Sequence, residues 1–264
     1  RSDSVPPSTP KKYVIGVDGG TESLRAGVFD LSGNPLAFAS VTYPTNFPIP
    51  GWAEQNPEDW WNALGGAVRQ AVIDANVDKQ EILGICLDTT CCSVVALDGG
   101  GNPLRPALIW MDMRSAPQTE QVLATDDPAL QVNSNGSGPV SAEWMIPKSL
   151  WIRQEEPEIF EKAETVCEFQ DYLNLHLTGK RVASINNVSV RWHYGPGWGG
   201  WASSMVENLG MPELLKKWPD TVLRLGEEIG GLTPNAGFHL DLPEGVPVLQ
   251  GGADAFIGMI GLGV

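Results

Sequence analysis

No stretch of the chain supplies the roughly 18 consecutive apolar residues that a membrane-spanning helix needs, so no membrane partner is expected. Basic residues are scarce as well. Seventeen Lys and Arg stand against 32 Asp and Glu, a formal charge of −15. With no excess of cations to neutralise phosphates, nucleic acid is not an expected partner, and the acidic balance speaks to solubility more than to fold. Cysteines number four: Cys86, Cys91, Cys92 and Cys167. Cys91 and Cys92 are adjacent, and neither a second pair nor a histidine cluster stands at zinc spacing, which points to free thiols in a reducing compartment.

What is present is ordinary for a globular protein. The 264 residues are 42% hydrophobic and 19% charged, enough for a large core in one large domain or two small ones. Arg1 to Lys12, with Pro6, Pro7 and Pro10, reads as a disordered leader. It lacks the apolar stretch of a secretory signal. A cytoplasmic location is expected, or a plastid or other organelle if the leader is the remnant of a transit peptide.

Three consecutive strands are predicted from Tyr13 to Tyr43, joined by glycine turns. Asn56-Pro57-Glu58-Asp59 is a helix start, followed by Trp60, Trp61, Leu64, Val68, Ala71 and Val72 at helical spacing. Further strands are predicted at Ile82–Leu87, Ser93–Leu97, Leu108–Trp110 and Val246–Leu249. Helices are predicted at Ala116–Leu123, Pro147–Gln154, Pro157–Ala163, Phe169–Leu177 and Met211–Trp218. Strands alternating with helices define an α/β class. No internal repeat is visible.

The strongest local signal is Val17-Asp18-Gly19-Gly20-Thr21-Glu22-Ser23-Leu24-Arg25. A strand ending in Asp and turning through two glycines exposes backbone N–H groups where a phosphate can come close. Thr21 and Ser23 add hydroxyl donors, and Asp18 can hold a hydrated Mg²⁺ beside the phosphates. The Gly-Lys-Ser/Thr ending of a Walker loop is absent. Taken by itself, the segment is equally an ordinary Asp-Gly hairpin.

Followed along the chain, these residues form a series. The Asp18 to Arg25 run resembles the first phosphate motif of the FGGY carbohydrate kinases, which have the actin-like ATPase fold. Gly51 to Trp61 is similar to the family's segment before its first helix. Asp88 to Ser93 falls where pentulose-kinase members place a small polar loop at the sugar. Ile109 to Arg114 resembles a Trp-x-Asp-x-Arg strand end, and Ser141 to Lys148 a Glu-then-Pro-Lys helix start. Gly251 to Ala255 resembles the Gly-Gly-x-Asp-Ala segment that carries the catalytic base. The resemblance covers Tyr13 to Val264 and is closest to the ribulokinase and pentulose-kinase branch.

The resemblance implies a ribonuclease-H-like, actin-like α/β domain over residues 13–264, with inserted segments forming a sugar pocket. It implies ATP and Mg²⁺ as cofactors and a small-molecule sugar as partner, and it leaves a homodimer open. Asp254 would be the general base and Asp18 the carboxylate that binds Mg²⁺ through water. Gly19, Gly20, Thr21 and Ser23 would cradle phosphate. Arg25 would either neutralise phosphate or pair with an acid of the same sheet. Glu22 departs from the family pattern and repels phosphate unless Mg²⁺ or Arg25 intervenes.

For the sugar, Glu143 and Arg191 are the main candidates and Thr90 and Cys91 weaker ones, Asp254 facing the same ligand. Trp144 or Trp192 would either cover its C–H side or sit in the core. Cys91 is not read as a nucleophile, since no histidine stands nearby in sequence. His176, His193 and His239 are read as structural or surface residues. The expected activity is ATP-dependent phosphorylation of a ketopentose, ribulose first, by the full-length protein. The alternatives are xylulose, ribitol or glycerol as acceptor, a truncated sugar- or protein-binding module, or an actin-like scaffold or nucleotide sensor. Family members run to roughly twice this length, with a second actin-like half that holds the adenosine pocket, so the isolated chain is expected to be inactive.

Overall fold

The computed structural model of the chain describes residues 12–132 and 138–263. The expected leader therefore lies outside the described residues except for Lys12, whose ammonium pairs with Glu81 at 2.7 Å.

Alternation and turn chemistry build the first half. β1 (Tyr13–Gly19) and β2 (Ser23–Asp30) are antiparallel, with Asp18 opposite Arg25, and β3 (Pro35–Thr42) extends the ladder. The Asp30 carboxylate accepts from the N–H groups of Ser32 and Asn34 at 2.8 and 2.9 Å and closes the β2–β3 turn. After the short β4 (Glu54–Gln55) comes α1 (Pro57–Ala75). The Asn56 side chain accepts from the Glu58 N–H at 3.2 Å, and left-handed Asn76 (φ 51°) ends the helix. Trp60, Leu64, Val68 and Ala71 recur at helical spacing and are fully buried as α1 packs on β2 and β3. Burial of the Leu64 and Val68 side chains contributes about 1.5–3 kcal/mol each.

The chain continues through β5 (Ile82–Thr89), β6 (Val94–Leu97), β7 (Ala107–Leu108), α2 (Ala116–Leu123), α3 (Met145–Glu155), α4 (Pro157–Lys162), β8 (Thr165–Glu168) and α5 (Phe169–Thr178). Next come β9 (Val182–Ser184), α6 (Ile185–Arg191), α7 (Ser203–Asn208), α8 (Leu214–Lys217), β10 (Thr221–Leu223), β11 (Glu228–Gly231), α9 (Pro234–Leu240), β12 (Pro247–Leu249) and α10 (Asp254–Leu262). The main sheet has the order β11-β12-β5-β1-β2-β3. β1, β5 and β12 are mutually parallel, so their C-terminal ends open on the same edge. That edge is where α/β sheets bind ligands. A second sheet, β4-β7-β6-β8, carries the inserted segments, and β9 pairs with β10.

Two apolar cores result. One joins the main sheet to α1, α5 and α9 through Ile15, Leu64, Phe169, Leu173, Leu240 and Val248. The other fills the inserted unit with Trp144, Met145, Leu150, Trp192, Met205 and Trp218. Helix α10 has no fully buried residue, and Ile260 and Leu262 are exposed.

Two expectations change in extent. The helix predicted over Met211–Trp218 is confined to the single turn of α8, because Pro212 brings no N–H to a longer helix. The strand predicted over Leu108–Trp110 is β7, which ends at Leu108 and leaves Trp110 in the following turn.

His193 is fully buried at a left-handed position (φ 57°), its ring 5.3 Å from that of Trp144. Burial pulls its pKa from 6.5 down to about 4. Between those values the unfolded chain holds a proton that the folded chain does not, so stability falls as pH drops from 6.5 towards 4. His193→Asn, which tolerates the backbone conformation, should flatten that slope in urea denaturation across the window. A shallower remainder should persist from His176 and His239, both also lowered by burial.

Candidate active site

The ends of the three parallel strands bring carboxylates together. Asp18 and Asp88 are register partners on β1 and β5, and Asp254 follows β12 through Gln250-Gly251-Gly252-Ala253. That last turn lies directly on β5. A Cβ at Gly251 would fall 1.9 Å from the Leu87 carbonyl oxygen, so only glycine lets the segment approach so closely. Buried Gln170 ties the two together, donating to the carbonyls of Leu87 (2.6 Å) and Gly252 (3.2 Å). Asn186, from α6, accepts from the Ala253 N–H at 3.0 Å.

Arg25 pairs with Asp18 at 2.7 Å, the second of the two alternatives read for it. The glycine at position 20 makes room for this, since a Cβ there would stand 2.7 Å from the guanidinium. The Gly20 N–H donates to the Ser23 carbonyl at 3.0 Å, so it serves the turn and not the exposed cradle read from the sequence. Glu22 is exposed. Asp18 and Asp88 each keep one buried carboxylate oxygen that finds no donor among the described residues. Burial, then the charges of Asp18 and Asp254, push the Asp88 pKa up to about 7. Asp254 is raised too, by burial first and then by the charge of Asp18 against the Ala255 N–H bond and Arg25. Carboxylates crowded in this way attract cations, Arg25 among them. Among the described residues no three His, Cys, Asp or Glu side chains could cage an ion directly. The donor set fits a hydrated Mg²⁺ held through water better than a bare one.

Beside the acidic edge lies a cavity of about 250 Å³ lined by Thr21, Thr90, Cys91, Cys92, Trp110, Glu143, Arg191 and Asp254. Thr90, Cys91, Glu143, Arg191 and Asp254, the polar residues singled out from sequence for the sugar, are all in that lining, whereas Trp144 and Trp192 are not. Of the phosphate candidates only Thr21 reaches it; Asp18, Gly19, Gly20, Ser23 and Arg25 belong to the hairpin next to it. A larger recess of about 660 Å³, with Asp98, Glu164, His176 and His239 in its wall, shares no residue with the strand ends. Volume alone would favour that recess, but the smaller cavity holds the convergent polar groups.

A buried ammonium shapes the cavity floor. Lys148, on α3 and fully buried, donates to the carbonyls of Cys92 (2.6 Å), Ile109 (2.7 Å) and Leu108 (3.2 Å). Three donors meet three acceptors, which suits the charged form. Burial brings its pKa down to about 8. Below it, buried Glu168 accepts from Trp192 Nε1 at 2.7 Å and Asn187 Nδ2 at 3.1 Å and fixes α6, the helix that carries Arg191.

Trp192 is therefore a core residue, packed on Trp201 and Trp218, and does not cover a ligand. Trp144 is nearly buried, with the Arg191 guanidinium over its ring at 5.5 Å. The aromatic that reaches the cavity is Trp110, whose Nε1 donates to Thr21 Oγ1 at 3.0 Å. Trp110 and Asp88 were not singled out as site residues, although both stand in segments that carry the resemblance. The rest of the Trp110 segment is structural. Fully buried Asp112 binds Arg114 at 2.7 Å and accepts from the Ala53 N–H at 2.7 Å.

A mixed sheet of order β3-β2-β1-β5-β12-β11, with an acidic edge and an inserted unit over it, defines an α/β domain of the actin-like, ribonuclease-H-like class. Residues 13–261 match the FGGY family of carbohydrate kinases, N-terminal domain, and the chain belongs to that family. It is 33% identical over 276 residues to the FGGY carbohydrate kinase domain-containing protein of Homo sapiens, covering 97% of this chain and 47% of that protein. It is 30% identical over 285 residues to a ribulokinase of Geobacillus thermodenitrificans, covering 96% and 50%. The crystal structure of xylulose kinase from Rhodospirillum rubrum matches with a TM-score of 0.86 and 28% identity, over 96% of this chain and 51% of that one. The chain thus spans about half the length of the curated relatives it matches. Among the described residues no helix is long and apolar enough to cross a membrane.

Lys148→Met should take the ammonium from three buried carbonyls, of which Ile109 keeps the Asp112 N–H at 2.9 Å, and cost about 3–5 kcal/mol in urea denaturation. A loss below about 1 kcal/mol would show that the floor holds without the ammonium.

Proposed function

We propose that this chain is the sugar-binding and acid–base half of an ATP-dependent kinase that phosphorylates a hydroxyl of a ketopentose, with ribulose the first candidate and xylulose the second. The observation that carries this reading is the convergence of Thr21, Thr90, Cys91, Glu143, Arg191 and Asp254 on one small cavity beside Asp18. Glu143 offers acceptors and Arg191 donors to a polyhydroxyl ligand, and the Trp110 ring offers a face to its C–H side. The cavity, about 250 Å³, suits a molecule smaller than a drug-sized ligand.

Phosphoryl transfer to an alcohol requires an in-line hydroxyl and a group to take its proton as charge develops. Asp254 opens α10, with one carboxylate oxygen accepting the Ala255 N–H at 2.7 Å. In this reading the other oxygen takes the substrate proton, and its raised pKa makes it a stronger base than an ordinary carboxylate. The hairpin at Gly19, Gly20, Thr21 and Ser23 would face the ATP phosphates. Arg25 pairs with Asp18 and presents its remaining N–H groups to them. Asp18 would hold Mg²⁺ through water, and the ion would supply charge neutralisation there.

In the full-length protein, Asp254→Asn should lower kcat roughly 10²–10⁴-fold while the KM for the ketose changes little, because the amide still holds the hydroxyl. Retention of more than about a tenth of wild-type kcat would remove Asp254 from the base role. Arg191→Met should instead weaken ribulose binding by about 1.5–3 kcal/mol, read by calorimetry against ribulose, xylulose, ribitol and glycerol. Equal silence towards all four would overturn the sugar assignment.

A further inference from the structure

The cavity wall contains two thiols that no step above uses. Cys91 and Cys92 occupy the corner between β5 and β6, and their sulfurs are 3.7 Å apart, with the Cys92 S–H donating to Cys91. Cys91 is partly exposed and shares the lining with Arg191, whereas Cys92 is buried (1% exposed) and left-handed at φ 69°. Cys92 is also held firmly, its carbonyl accepting from Lys148 at 2.6 Å.

The four cysteines differ sharply in character. The hydrogen bond from Cys92, and then the nearby Arg191 guanidinium, draw the Cys91 thiol below its ordinary pKa against burial and the Glu168 charge. Cys92 moves the opposite way, through that same bond, its burial and Glu168, with Lys148 opposing. Burial raises both others, Cys86 to about 11 and Cys167 well above its usual value. The more acidic thiol and its neighbour are thus the two that face the ligand cavity.

We propose that Cys91 and Cys92 form a hydroperoxide-sensitive dithiol site that closes the sugar cavity when oxidised. The closing part rests on the sugar reading above; the dithiol chemistry does not. The Cys91 thiolate attacks the terminal oxygen of a hydroperoxide. An S–O bond forms as the O–O bond breaks, and the departing alkoxide or hydroxide takes up the proton that Cys91 released on ionising, leaving an alcohol or water and a Cys91 sulfenic acid. The Cys92 sulfur, giving up its proton, then attacks the Cys91 sulfur. The S–S bond forms, the S–O bond breaks, and the departing hydroxide takes that proton as water.

Closure follows from which residue can move. The sulfurs must come from 3.7 Å to about 2.05 Å. Cys92 is pinned through its carbonyl, and the Thr90 N–H is held by the Gly19 carbonyl at 2.9 Å, so the displacement falls on Cys91 in the cavity lining, and Arg191 loses its sulfur neighbour. Adjacent Cα atoms lie about 3.8 Å apart, short of the usual disulfide span of about 4.4–6.8 Å, so the ring distorts the corner and thiols reopen it readily.

The test treats the full-length protein with hydrogen peroxide and follows peptide masses and ribulose binding together. The Cys91–Cys92 peptide should lose the mass of two hydrogens before Cys86 or Cys167 is modified. Ribulose binding should weaken at least about tenfold, prior ribulose should slow the oxidation, and dithiothreitol should restore both. Cys92→Ser should stop the chemistry at a sulfenic acid on Cys91, trapped by dimedone, and Cys91→Ser should abolish it. A pair that stays reduced, or reacts no faster than Cys86, in protein that binds ribulose overturns the proposal and leaves the sugar reading standing. A pair that oxidises while ribulose binding is unchanged overturns the closing part. A pair that oxidises in protein that binds no ketose in either state upholds the dithiol site and overturns the sugar reading.

Discussion

Three backbone carbonyls, those of Cys92, Leu108 and Ile109, meet on the ammonium of Lys148 in a space that water does not reach. Those carbonyls belong to the β5–β6 corner and to β7 with the turn after it, and the donor belongs to α3. One side chain therefore sets the spacing between the loop that bears Thr90 and Cys91 and the turn that bears Trp110. An ammonium is costly to bury, and only a full set of acceptors makes it tolerable. The cost is offset here by fixing the cavity floor before any ligand arrives, the preorganisation that binding sites need.

The second constraint is steric and lies at the sheet edge. Gly251 passes against the Leu87 carbonyl so closely that the Asp254 turn has a single seat on β5. Gln170 and Asn186 then hold that seat from two different helices, α5 and α6. Asp254 arrives beside Asp18 and Asp88 already in place, and the mutual repulsion of the three charges follows from that placement. That repulsion is the condition under which a cation or a proton is held tightly.

Much of the first core could be read from residues because it is punctuated. The Asp18-Gly19-Gly20 turn, the Asn56-Pro57 cap and the α1 apolar spacing are local signals, and they fall where the hairpin and helix form. The inserted unit is harder. Strands β8, β9 and β10 span three or four residues, too short for a period to declare itself, and α6 is seven residues long. Helix α9 was readable, since Thr233 caps it with Pro234 in the next position, yet its seven residues follow a glycine-rich strand that obscures the start. Membership of the cavity came from resemblance for Glu143 and Arg191, because nothing in their local sequence says that they face each other. Whether Trp192 or Trp110 lines the ligand depends on packing against Trp201 and Trp218, information that no local window holds.

Asn186 and Arg191 lie on the same short helix, one holding the Ala253 N–H and the other facing the cavity. The acidic edge comes from the main sheet, while Glu143 and Arg191 come from the inserted unit, so the two sets of side chains are built on separate cores. For protein engineering this is a modular arrangement. On the proposed reading, the cavity-facing pair can be exchanged to suit a ligand of different length or configuration without repacking the strands beneath Asp18 and Asp254, provided that Asn186 keeps the helix docked on the glycine turn.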